Sequence, residues 1–92
     1  MKTIAVICNN KQEWRHFVET LQFTLSKDNK PYKVVAEAIV DIDKKVKYIL
    51  VPNHYSGINN MRGYVISEYI TMASIVDNGV FDYLMNNLRS VV

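Results

Sequence analysis

The sequence predicts a single small α/β domain in the order β-α-β-β-β-α, with a mixed sheet packed against two helices. Three observations predict it. A continuous apolar run opens the chain, an amphipathic stripe at helical spacing follows it at once, and a second such stripe closes the chain after three further β-rich segments. The length of 92 residues suits one hydrophobic core, so residues 1–92 form one domain with no chain left for a second folded unit.

Residues 3–8 (TIAVIC) are apolar without interruption and stop at Asn9 and Asn10. Such a run has no polar face to offer water, so it predicts a central strand covered on both sides and paired in parallel. From Glu13 to about Lys27 the apolar positions are Trp14, Phe17, Val18, Leu21 and Leu25. Spacings of three and four put them on one stripe of a helix. Asn9 or Asn10 supplies the N-cap, Glu13 sits favourably at the positive end of the helix dipole, and Pro31 forbids continuation.

Residues 32–40 (YKVVAEAIV) and 47–51 (KYILV) are strand-like, and the charged stretch Asp41-Ile42-Asp43-Lys44-Lys45 between them predicts an antiparallel hairpin. Residues 52–63 (PNHYSGINNMRG) are the longest irregular segment, and loops held by a rigid scaffold commonly carry function. Residues 64–71 (YVISEYIT) predict another interior strand. Asp77-Asn78-Gly79 then turns the chain into a helix whose stripe is Val80, Phe81, Leu84, Met85, Leu88 and Val91.

Composition removes several classes of function. Apolar residues make up 49% and charged residues 22%, the balance of an ordinary folded domain rather than of a disordered chain. Eleven Lys and Arg against nine Asp and Glu give a net charge of +2 without a dense basic stripe, which argues against nucleic acid as a partner. The apolar run before Asn9 is too short for a signal peptide or a membrane span, and the single cysteine, Cys8, forms no internal disulfide. A cytoplasmic, reducing setting without a membrane is the expectation. Small domains bury a modest fraction of their surface, so a homodimer is compatible with this size.

Few constellations of reactive groups are legible. A phosphate-cradling loop belongs where the first strand meets the first helix, but Cys8-Asn9-Asn10-Lys11-Gln12-Glu13 has no glycine, and Glu13 repels an anion. Lys11 there reads as a solvated lysine. His16 and His54 are the only histidines, and no zinc-ligand spacing is present, so neither metal nor cofactor is expected. His16 falls on the polar side of its helix. His54 stands in the irregular segment beside Tyr55 and Ser56 without a neighbouring carboxylate to orient it as a base. Cys8, inside a strand, has nothing to lower its pKa and reads as a small buried hydrophobe. Asp41 and Asp43 lack the glycine and terminal glutamate of a calcium loop, and keep the hairpin end soluble.

The residues singled out for binding are His54, Tyr55, Asn59, Asn60, Met61 and Arg62, because tyrosine and arginine are enriched at interface hot spots and the segment is irregular. Tyr64 and Tyr69 differ in strand parity, so at least one of them belongs to the core. The leading expectation is a non-catalytic protein-binding accessory or regulatory module. A small nucleotide- or anion-binding domain using the ends of the first and fourth strands is the first alternative. A structural subunit of a larger assembly is the second.

One resemblance bears on origin. The strand at residues 47–51, the Met61-Arg62-Gly63 turn and the strand at residues 64–72 together resemble part of the ATPase core of phage terminase and helicase-like P-loop proteins. That family carries a Walker A loop after its first strand and acidic residues at the end of a later one. Here the loop is absent and the later strand ends Ile70-Thr71-Met72-Ala73. The resemblance implies a phage or mobile-element origin and a fold kept without hydrolysis, because phosphoryl transfer needs positioned cations and carboxylates.

Overall fold

Which strands end up buried follows from what connects them. In the computed structural model, which describes residues 1–91 and their side chains through residue 86, the elements run β1 (Lys2–Cys8), α1 (Lys11–Lys27), β2 (Tyr32–Val35), β3 (Ala38–Asp41), β4 (Val46–Pro52), α2 (Gly57–Met61), β5 (Ile66–Thr71) and α3 (Asn78–Val91). They build one five-stranded mixed sheet in the order β2-β3-β4-β1-β5. Strand β1 pairs in parallel with both β4 and β5, whereas β2, β3 and β4 form an antiparallel meander. The α/β class, the central parallel first strand and the hairpin before residue 46 stand as the sequence predicts.

Alternate residues of the central strands feed two separate cores, as the two-residue period requires. On one face Ala5, Ile7, Ile49, Val51 and Ile66 pack with Met61 of α2 and with Val80 and Leu84 of α3. On the other face Val6, Cys8 and Leu50 pack with Trp14 and Phe17 of α1, together with Tyr48 and Met72. Trp14 and Phe17 stack with ring centroids 5.7 Å apart, and Phe17 meets Tyr48 at 5.5 Å. Helix α1 starts where Asn10 accepts from the backbone N–H of Glu13 at 2.9 Å, while the Glu13 carboxylate accepts from the N–H of Asn9 at 2.6 Å.

The structure departs from the sequence expectation in three places. Residues 32–40 are two strands rather than one, because the chain reverses at Ala36-Glu37, where Glu37 takes the left-handed φ of 59°. No glycine, asparagine or proline announces that turn. It is held from outside, by the N–H of Leu50 donating to the Glu37 carbonyl at 2.9 Å. Second, part of the irregular segment is helical. Helix α2 is seated by Gly57, whose missing Cβ leaves room for the Pro52 carbonyl, and by Met61, which is wholly buried. Third, the last strand is an edge rather than an interior strand, pairing only with β1 and bulged at Ser67. In α3 the side chains of Leu88 and Val91 lie outside the described residues.

The hairpin between β3 and β4 also has a local device. Asp41 is buried and accepts from the N–H of Lys44 at 3.2 Å, closing the turn from within. Its partner in the expected soluble tip, Asp43, pairs with Lys30 at 3.5 Å on the surface. Asp41 therefore serves the fold.

Candidate functional site

Three chain segments leave the carboxyl ends of β1, β4 and β5 side by side, and one side chain ties them together. Asn53 follows β4 directly, and its N–H donates to the Cys8 carbonyl at 2.8 Å. Its amide nitrogen donates to the Asn9 side chain at 2.9 Å and to the Ile75 carbonyl at 2.7 Å. Its amide oxygen accepts from the N–H of Asp77 at 2.7 Å. Asp77 in turn accepts from the N–H of Gly79 at 2.9 Å, capping the start of α3. An amide that both donates and accepts suits this position, since carbonyls and N–H groups arrive from different strands.

Around this knot two large apolar side chains stand in solvent, Tyr55 at 72% exposure and Ile75 at 80%. The Tyr55 ring rests against Gly79, where an added Cβ would come within 3.3 Å of it. His54, Asn59 and Arg62 are also exposed. Asn60 is half-buried, and its amide donates to the Leu50 carbonyl at 3.0 Å and to the Glu37 carboxylate at 3.3 Å. Met61 is fully buried, so its side chain anchors α2 and reaches no surface. Of the six residues singled out in the sequence, the fold thus presents His54, Tyr55, Asn59 and Arg62 on the surface and uses Asn60 and Met61 as internal ties. Asn53 and Ile75 escaped sequence reasoning. Ile75 sits beside Val76 in a short connection whose apolar residues give no sign of which one faces solvent, and Asn53 is one asparagine among several.

His54 and Cys8 each make a contact within their own segment. The Nδ1 of His54 lies 3.3 Å from the backbone N of Ser56 and 3.2 Å from its hydroxyl, a local turn that ties the ring to its own segment. Burial, with a further push from the Glu13 carboxylate, raises the Cys8 thiol to about 11, and its Sγ faces the Val6 carbonyl at 3.8 Å. A thiol so shifted stays protonated and a poor nucleophile. Among the described residues no group of three His, Cys, Asp or Glu is placed to hold a metal ion.

A second concavity opens between β1 and β4, whose following helices lie on opposite faces of the sheet. It encloses about 240 Å³ and is lined by Asn9, Asn10, Lys11, Glu37, Leu50 and Pro52. Open α/β sheets bind ligands at such switch points. Here, however, the Glu13 carboxylate already occupies the helix N-terminus through the Asn9 N–H, where an anion would sit.

Comparison with protein-family models, with curated proteins and with solved structures finds no match. No helix among the described residues is long and apolar enough to cross a membrane.

Proposed function

We propose that this domain works by binding another protein, through the surface that the Asn53 knot organises at the carboxyl edge of the sheet. The observation that carries the reading is the pairing of exposed apolar side chains, Tyr55 and Ile75, with a backbone already fixed by side-chain hydrogen bonds. Exposed apolar groups on a mobile loop lose entropy when they dock. On a braced loop that cost is largely met at folding, so more of the contact energy appears as affinity. Tyrosine adds an apolar ring with a polar tip, and Arg62 adds a planar donor on the same segment.

The reactive groups support the same conclusion. The thiol is buried and protonated, and His54 is committed to Ser56. Neither is arranged as a nucleophile with a base.

The test is capture from a lysate of the source cells, with the wild-type chain and the Tyr55→Ala/Arg62→Ala double variant immobilised side by side. The same polypeptide should be retained by the wild type and lost by the variant, while the two proteins melt at similar temperatures. Equal retention by both would remove the segment from the interface.

A further inference from the structure

A second binding surface follows from how unevenly the sheet is covered. Strand β2 is an edge, and its two faces open onto separate grooves. On the α1 side a concavity of about 230 Å³ is lined by Lys11, Trp14, Arg15, Val18 and Val34. On the opposite side a concavity of about 200 Å³ is lined by Val35, Glu37, Ala38, Lys47, Asn60 and Tyr64. Val34 and Val35, neighbours in the strand, therefore point one into each groove and remain 46% and 41% exposed.

The two edges of the sheet are not equivalent. The β5 edge is bulged at Ser67, and its Glu68 is paired with Lys2 at 2.7 Å, both of which spoil it as a template. The β2 edge continues an unbroken antiparallel register, with Lys33, Val34 and Val35 opposite Val40, Ile39 and Ala38. In such a strand every second residue turns its N–H and C=O away from the sheet, ready to pair with an added strand.

The charges select the occupant. Lys11 and Arg15 rim one groove, Lys47 lines the other, and Lys33 stands on the same sheet face as Lys47 in the cross-strand row Lys33–Val40–Lys47. Among the described residues the ion pairs are Lys2 with Glu68 and Lys30 with Asp43, so these four cations are left without a carboxylate. Lys47 is half-buried and turns instead to the Tyr64 hydroxyl at 3.0 Å, with its ammonium 4.9 Å from the ring centroid. The carboxylate at this end, Glu37, is held by the Asn60 amide at the turn.

We propose that β2 accepts an extended acidic segment of a partner protein as a sixth strand, its alternate side chains entering the two grooves. Backbone pairing supplies the affinity in this mode, and the grooves on either face supply selectivity. The apolar floor of the α1-side groove calls for a β-branched residue and its cationic rim for Glu or Asp, while Lys47 offers the opposite groove a single cation. This surface is separate from Tyr55 and Ile75 and stands or falls independently of them.

The test uses a fluorescein-labelled, N-acetylated short peptide of valine, isoleucine and glutamate, titrated with the full chain. Its counterparts carry lysine for glutamate, or proline at alternate positions. Saturable binding of the acidic peptide is expected, with amide shifts at Lys33, Val34 and Val35. The Arg15→Glu/Lys33→Glu variant, altered only at exposed positions, should weaken binding about tenfold or more. Tyr55→Ala should leave it unchanged. Absence of saturation at millimolar protein, equal binding of the proline peptide, or shifts at Tyr55 and Arg62 in place of β2 would overturn the proposal. So would a homodimer sealed through β2.

Discussion

The central strand and the β2 edge of the sheet are built from the same kinds of residue and end in opposite states. At the centre of the sheet β4 and β1 carry helices on both faces, and Ile7 has no exposed surface. In the antiparallel half, β2 is made of equally apolar, β-branched residues, yet Val34 and Val35 remain exposed. The difference lies in the connections. A parallel crossover must return over the sheet and brings a helix with it, whereas a hairpin turns back in the plane and covers nothing. Strand composition therefore predicts that a segment is extended, and connectivity decides whether it becomes core or surface.

The sharpest way to break this comparison is to truncate the two halves in turn. Ile7→Ala should cost about 2 to 5 kcal/mol in urea denaturation, because the central strand leaves a cavity between two fixed layers. If that loss fell below about 1 kcal/mol, the central strand would not be the core that its burial indicates. Gly57→Ala comes next, at about 1 to 3 kcal/mol, since the added Cβ meets the Pro52 carbonyl, a backbone atom that cannot swing aside. A neutral result would mean that α2 shifts freely on the sheet.

Asn53→Ala removes three side-chain hydrogen bonds at the carboxyl edge and should cost about 1 to 2 kcal/mol. Its more telling effect is faster hydrogen exchange at the Asp77 amide, which loses its acceptor. Unchanged exchange there would show that the edge is braced by something other than Asn53.

Cys8 gives a pH test within the same half. Its folded pKa, about 11, lies above the ordinary 9.0, so the folded chain holds the proton more tightly than the unfolded one. That contribution is fully present below about pH 9 and is lost as pH rises toward 11. Stability should fall less steeply over that interval in Cys8→Ala than in the wild type, measured by urea midpoints, and the native thiol should resist alkylation at pH 8. At the bottom of the scale, Val34→Ala in the hairpin half should change stability by no more than about 0.5 kcal/mol. A cost matching that of Ile7→Ala would erase the distinction between the halves.

How much of this was legible beforehand follows the same division. The run at residues 3–8 and the stripe from Trp14 to Leu25 each carry their structural reason within a few neighbouring residues, and both became the expected elements. The break at Glu37 did not, because its left-handed backbone is held by Leu50 and its side chain by Asn60, partners distant in sequence. The edge position of β5 depends on strand order, which no local pattern encodes. Within the candidate site, Tyr55 and Arg62 are exposed as loop residues tend to be. Met61 was misplaced on that surface because a five-residue helix inside a polar segment shows only the single pair Ile58 and Met61, too short to read as a stripe. Asn53 was passed over because its importance lies in three partners on two other segments.

The central claim is that a protein partner docks on the braced carboxyl edge, and chemical-shift mapping on the labelled chain tests it most directly. Titration with the polypeptide captured from the source lysate should move amides at residues 53–62 and 74–79 and leave those of α1 in place. Shifts confined to α1, with Tyr55, Ile75 and their neighbours unmoved, would contradict it.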